Sequence, residues 1–356
     1  MSPVSDKQLF LSKSVEDLSI AGDQPPPEYI VKGCSYAPAY ISSCSSTSFP
    51  IIDISLFSQS SPADDDGEAQ ALNILRSALT SSGCFQAVGH GMSSSFLDKV
   101  REIAYEFFDL PIEEKQKYGR APNESEGYGS DVVVTENQVL DWSHRLSLRV
   151  FPQHQRRFNL WPQQPTDFSD TLQEYAEKIK SIMDILYKAM AKSLNVEENS
   201  FSRQFGERSL MQARFNFYPK CSRPDLVLGV KPHTDRSRIT ILLQDNLVEG
   251  LQVLVNDNWV QVPVLPHALV VNLGDQMQIM SNGIFKSPMH RVVTNTERMR
   301  ISLAAFHEPE PEMEIGPVDA LVNEERPRLY RNVNNYGAIN YECYQKGIVA
   351  LETVQI

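Results

Sequence analysis

The sequence predicts an α+β chain with helices first and strands second, and two textures along it carry that prediction. Before residue 209, apolar residues recur at three- and four-residue steps. After it come short runs of period two with turn residues between them. The second texture describes a sandwich or barrel and puts the chemical scaffold in the C-terminal half. No internal repeat interrupts either texture.

Residues 1–48 are rich in Ser and Pro, as in Pro25-Pro26-Pro27 and the run from Ser42 to Ser46, and show no sustained period. They read as an extension draped on the surface, with order beginning near residue 49. Pro50 to Ile54 reads as a short strand, and a polar insert from Ser58 to Gly67 separates it from the first helix. Ala71, Leu72, Leu75 and Leu79 give that helix its stripe over 68–79, with Gly83 shortly past its end. A second helix over 96–108 stops before Pro111, because the residue preceding a proline is biased away from helical angles.

The longest helical signal covers 170–194. Leu172, Tyr175, Ile179, Ile182, Met183, Leu186 and Met190 form one stripe, read as core packing rather than as a cofactor site. Strand-like runs follow at 210–218, 239–244, 251–255, 268–273 and 300–306.

The 356 residues are enough to bury a substantial core. A net charge of -12 opposes general binding to nucleic acid or anionic lipid, so a small-molecule partner fits better. No apolar stretch approaches the roughly 20 residues of a membrane helix, and 1–15 carry no apolar run of signal-peptide length. A cytosolic address is the expectation. Cysteines at 34, 44, 84, 221 and 343 are odd in number and widely spaced, which predicts reduced thiols rather than a disulfide framework or thiolate zinc site.

Pro232-His233-Thr234-Asp235 is the informative segment. In an extended chain residues i and i+2 share a face, so His233 and Asp235 can reach one metal while Thr234 points away. Chance alone gives about 0.4 His-x-Asp triplets in this composition, so a third ligand must carry the argument. His290, at the start of another strand-like run, is the candidate. Two His and a carboxylate with open positions opposite describe the facial triad of non-haem iron oxygenases. The same ligands suit zinc, which leaves a zinc hydrolase open at this point.

Ten residues beyond His290, period two puts Arg300, Ser302, Ala304, Phe306 and Glu308 on one face. An arginine fork beside a hydroxyl grips a carboxylate in fixed geometry. On another run Arg214, Asn216 and Tyr218 share a face, and the Tyr218 hydroxyl can add a further bond to the same carboxylate.

Taken in order, Asn216-Phe-Tyr218-Pro219, His233-Thr-Asp235, His290 and Arg300-Ile-Ser302 resemble the plant Fe(II)/2-oxoglutarate-dependent dioxygenase family. The resemblance runs from residue 49 onward. Pro50 to Asp53 is similar to the family's opening strand, Gly89-His90-Gly91 to its glycine turn, and Gly274-Asp275 with Ser281-Asn282-Gly283 to the run before the distal ligand. It implies a double-stranded β-helix, a jelly-roll core with flanking N-terminal helices.

The divisions it implies are an extension at 1–48, an N-terminal dioxygenase region at 49–160 and a connecting helical region at 161–208. The catalytic jelly-roll follows at 209–308, and a tail at 309–356 covers the mouth. It further implies Fe(II) on His233, Asp235 and His290, and 2-oxoglutarate held by Arg300, Ser302 and Tyr218 with Asn216 beside them. O2 is the oxidant and ascorbate the reductant. His90, His154, His267 and His307 are left as ordinary histidines.

The implied reaction is hydroxylation, desaturation or O-demethylation of a small specialised metabolite, such as a phenolic, alkaloid or terpenoid, by a monomer. Candidate substrate contacts are Arg214, Phe306, Glu308, Tyr128, Arg145 and Arg236. Some features depart from the family. His144 and Arg145 stand where relatives usually show an acid and an aromatic, and Arg236 and Arg238 where small or apolar residues are commoner. Extra cations near the mouth favour an acidic substrate such as a jasmonate-like acid. A jelly-roll that binds a ligand without turnover is the reading from another class.

Overall fold

The structure is a computed structural model that describes residues 14–22, 24–31, 49–58, 65–122, 124–130, 138–206, 208–310, 312–346 and 348–356. The Ser42 to Ser46 run, most of the polar insert after Ser58, Cys34 and Cys44 lie outside these residues.

Order begins well before residue 49. Helix α1 (Val15–Ala21) opens with a capping box in which the Ser14 side chain accepts from the Asp17 amide and Asp17 accepts from the Ser14 amide. Val15 and Tyr29 are buried against Leu140, Trp142, Cys221 and Val227. Too few apolar residues contact the body for a period to show, which is why composition alone made this segment look like a loose extension.

Helices α2 (Asp65–Ser81), α3 (Ser94–Asp109), α4 (Ile112–Gln116) and α5 (Phe168–Ser193) come next in the first half. The whole α5 stripe named from sequence is buried, as core packing requires. No helix among the described residues is long and apolar enough to cross a membrane.

Two sheets face each other. The larger runs β1 (Ile51–Asp53), β2 (Cys84–Val88), β10 (Leu269–Leu273), β7 (Ile239–Leu243), β12 (Arg300–Glu308), β5 (Leu210–Tyr218), β4 (His144–Phe151) and β3 (Gly127–Gly129), in that spatial order. The smaller runs β6 (Leu228–His233), β11 (His290–Val293), β8 (Leu251–Val255) and β9 (Asn258–Gln261). This is the jelly-roll core, helices flanking one side.

Every strand of the larger sheet has two different faces. Leu146, Phe215 and Leu303 lie level across β4, β5 and β12 and join the core under the helices, where Phe168 packs on Phe215 with ring centroids 5.3 Å apart. On β5, β7, β10 and β12 the alternate residues, among them Arg214, Thr240, Asn272 and Ser302, turn toward the smaller sheet and line the cavity between the two.

Candidate active site

His233 is the last residue of β6, and the chain then crosses from the smaller sheet to β7 of the larger one. Asp235 lies in that crossing rather than in a strand. His290 opens β11 and is the antiparallel partner of His233, so period two points both rings to the same side. The two ring centroids are 4.2 Å apart. Asp235 Oδ1 is 3.7 Å from each Nε2, and one ligand atom from each of the three residues falls within 4.8 Å of the others.

Both rings are oriented from behind. Each Nδ1 lies beside a backbone carbonyl, that of Lys231 at 2.8 Å for His233 and that of Pro288 at 3.0 Å for His290. A carbonyl only accepts, so each Nδ1 carries the proton and each Nε2 turns its lone pair to the common centre. Thr240 Oγ1 donates to Asp235 Oδ2 at 2.6 Å, leaving Oδ1 toward the histidines.

Burial and the neighbouring His290 hold His233 below its ordinary pKa. Burial alone would raise Asp235, but the two imidazoles and the Thr240 bond hold it below the usual carboxylate range. A neutral imidazole at His233 and an ionised carboxylate at Asp235 are the protonation states that bind a divalent cation.

The crossing is pinned by close packing. The Asp275 amide donates to Asp235 O at 2.8 Å, and the Gly274 amide to Arg238 O at 3.0 Å. A Cβ on Gly274 would stand 2.0 Å from Ser237 O and 2.7 Å from Asp235 O, so only glycine fits here.

The second set lies on the cavity face of β12 and β5. Arg300 is level with Tyr218, Ser302 with Asn216 and Ala304 with Arg214. Arg300 is 2% exposed; its Nε donates to Val248 O at 3.2 Å and its Nη2 to Gln244 Oε1 at 3.3 Å. Nη1 is buried with no hydrogen-bond partner, a donor awaiting an acceptor. Asn216 Nδ2 donates to Ser302 Oγ at 3.3 Å, and Arg300 stacks 5.2 Å from the centre of the Tyr218 ring. A buried cation with carbonyl partners and an orphaned N–H fits a bound carboxylate, as 2-oxoglutarate requires.

Of the expected substrate contacts, the cavity contains Arg214 and Phe306, stacked with the guanidinium 4.6 Å from the ring centre. Arg236 and Glu308 are ion-paired at 3.0 Å, so Arg236 is not an uncompensated cation. Arg145 is level with Asn216 on β4, beyond the residues that line the cavity.

Tyr128 is placed elsewhere. It is level with Leu146 and so points to the helix side, where its hydroxyl meets His144 Nδ1 at 2.9 Å and Glu16 at 3.3 Å. Arg238 is also not at the mouth: it is fully buried over the Phe205 ring, 3.4 Å from its centre. Thr240 and Asn272 are cavity residues that the sequence pattern did not single out. They are level with each other, and period two counted back from Leu242 would have signalled Thr240.

The profile of the 2OG-Fe(II) oxygenase superfamily matches residues 208–309, and that of the non-haem dioxygenase in morphine synthesis N-terminal region matches 49–164. Jasmonate-induced oxygenase 4 of Arabidopsis thaliana is 38% identical, over 90% of this chain and 90% of its own length. Codeine O-demethylase of Papaver somniferum is 39% identical, over 79% of this chain and 78% of its own. The crystal structure of JOX2 in complex with 2OG, Fe and JA superposes with a TM-score of 0.85 at 35% identity, covering 97% of this chain and 98% of that one.

The chain belongs to the 2OG-Fe(II) oxygenase superfamily. It is an Fe(II)- and 2-oxoglutarate-dependent oxygenase acting on a small molecule, rather than the zinc hydrolase or binding protein that the ligand residues alone left open.

Proposed function

We propose that His233, Asp235 and His290 hold the iron, that Arg300, Ser302 and Tyr218 with Asn216 hold the far carboxylate of 2-oxoglutarate, and that the substrate is a small acid with an apolar body. The observation that carries the substrate class is a second arginine in the same cavity. Arg300 is matched to the co-substrate, whereas Arg214 faces the cavity from β5 beside Phe306, among Val230, Leu242, Leu251 and Val292. A guanidinium beside an aromatic face and aliphatic walls suits a carboxylate on a hydrophobic frame. Relatives named for jasmonate induction, and a related structure solved with JA, support a jasmonate-like acid.

Iron and 2-oxoglutarate, when bound, supply the oxidant that hydroxylates a substrate C–H bond with O2, 2-oxoglutarate leaving as succinate and CO2. The protein's part is placement. The Nδ1 bonds fix the tautomers of both histidines, Thr240 orients the Asp235 carboxylate, and Arg214 sets which carbon of the substrate faces the metal-binding residues. Tyr128 is no part of this set. We further propose that the enzyme acts as a cytosolic monomer in specialised metabolism, with ascorbate as reductant. In the domain organisation we propose, 209–308 forms the catalytic unit and the tail closes its mouth. Gly337 of that tail approaches the Arg236–Glu308 pair.

Jasmonic acid, its methyl ester, a flavonoid and a morphinan methyl ether, each supplied with Fe(II), 2-oxoglutarate and ascorbate, test the substrate class by mass spectrometry. The free acid is hydroxylated and its ester is not. Arg214→Met raises KM for the acid about 10–100-fold while leaving substrate-free 2-oxoglutarate consumption in place. Equal turnover of acid and ester, or an unchanged KM in Arg214→Met, refutes the acidic substrate.

A further inference from the structure

Arg300 is a buried cation with no carboxylate within ion-pairing distance of 4 Å among the described residues, although one stands next in sequence to its Gln244 partner. That carboxylate, Asp245, is fully engaged. Its Oδ1 accepts from the Leu247 amide at 2.8 Å and the Val248 amide at 3.0 Å. Its Oδ2 accepts from the Tyr105 hydroxyl at 2.6 Å and the Ile301 amide at 3.1 Å.

The two amide bonds close a turn that delivers the Val248 carbonyl to Arg300 Nε, and the other two tie that turn to α3 and β12. Gly250 then leaves room for the arginine stem, since a Cβ there would stand 3.0 Å from Arg300 Cδ. Burial and the Asp245 bond push the Tyr105 hydroxyl up, so it stays a donor at any working pH.

We infer that Gln244, Asp245 and Tyr105 are positioning residues that keep the co-substrate arginine aimed but unpaired: Gln244 offers a neutral acceptor, and Tyr105 on α3 helps to withhold the one nearby carboxylate. An arginine already paired to a carboxylate has less to gain from a second one, because its charge is compensated before the ligand arrives. Helix α3, in the N-terminal half, thereby sets the affinity for a ligand bound in the C-terminal half. The inference rests on Arg300 being the 2-oxoglutarate anchor.

Gln244→Glu tests it most sharply, because it keeps the shape and puts a resident carboxylate where Oε1 now lies 3.3 Å from Nη2. The readouts are calorimetric titration of 2-oxoglutarate into Mn(II)-loaded full-length protein, the Mn(II) affinity itself and the thermal midpoint. Gln244→Glu weakens 2-oxoglutarate binding about 10–100-fold, with Mn(II) affinity and midpoint maintained. Tyr105→Phe, which releases one lone pair of Asp245, weakens it about three- to tenfold. A merely structural role predicts a lowered midpoint with unchanged affinity.

Gln244→Glu binding 2-oxoglutarate within about twofold of wild type overturns the inference. Arg300→Met separates the two levels. If it binds 2-oxoglutarate as wild type does, the anchor assignment fails. If it loses binding while Gln244→Glu and Tyr105→Phe do not, only the role of Gln244, Asp245 and Tyr105 fails.

Discussion

Thr240→Val replaces one hydroxyl with a methyl and leaves the strand, its partners and every metal-directed atom of the triad in place. Two bonds are lost, the 3.0 Å contact with Ser237 Oγ and, the one that bears on the metal-binding residues, the 2.6 Å donation to Asp235 Oδ2, an O–H to a charged carboxylate in a buried setting. Bonds of that kind contribute about 1.5–3 kcal/mol, and the remaining oxygen is left buried beside an apolar group. If that energy goes into holding the carboxylate with Oδ1 toward the histidines, metal affinity falls roughly 10–100-fold, the range observed when the outer partners of metal ligands are removed.

Isothermal titration of Mn(II) into metal-free protein near pH 7 measures it, with the thermal midpoint of the apoprotein as a control for folding. Thr240→Ser should recover most of the affinity by restoring the donor. An affinity for Thr240→Val within about twofold of wild type would mean that the Thr240 hydroxyl does not orient Asp235.

Gly274→Ala tests the packing behind the crossing: φ at 274 is -105°, which any residue adopts, so the whole effect comes from the collision with Ser237 O and Asp235 O. A destabilisation of about 3 kcal/mol, with loss of Mn(II) binding in whatever folds, is expected by thermal unfolding and titration. Glu16→Gln tests the latch of α1, where Glu16 Oε2 meets the buried Lys115 Nζ at 2.7 Å.

Burial opposes the Glu16 charge, but His144 and Lys115 hold its pKa below the usual value of 4.5. Its stabilisation is therefore complete above the unfolded pKa and lost as pH falls through the folded one. Wild type should exceed Glu16→Gln by about 1–3 kcal/mol at pH 7, and the gap should close as pH falls below 4.5 and through the lowered folded pKa. A gap that persists unchanged in acid contradicts the ion pair.

The parts of the fold that read clearly from sequence are those where one face is apolar and the other is not. Helix α5 and strands β5 and β12 show their period because one side meets the helical core and the other the cavity, and this also put Arg300, Ser302, Asn216 and Tyr218 together in advance. Strand β6 did not show, because Lys231, Pro232 and His233 at its end break any apolar alternation. Strand β4 mixes Arg145, Ser147 and Arg149 with Leu146, Leu148 and Val150, and of its polar residues the sequence singles out only His144 and Arg145.

Tyr128 went astray because a short strand gives no register, and only pairing with Leu146 reveals which side of the sheet it takes. Arg238 was taken for a mouth cation by type, yet the aromatic ring of Phe205 offers it a place inside. The cluster of His233, Asp235 and His290 was legible as an ordered set. The bonds that orient it, from Thr240 and from the carbonyls of Lys231 and Pro288, depend on distances that sequence does not carry.

In the proposed function, His233, Asp235 and His290 make one iron site served by 2-oxoglutarate at Arg300. Succinate formation from 2-oxoglutarate, followed by mass spectrometry in wild type and in Asp235→Ala with and without added Fe(II), tests it most directly. Succinate is expected only from wild type with iron and oxygen both present, and none from Asp235→Ala. Wild-type rates of succinate formation by metal-free Asp235→Ala would contradict it.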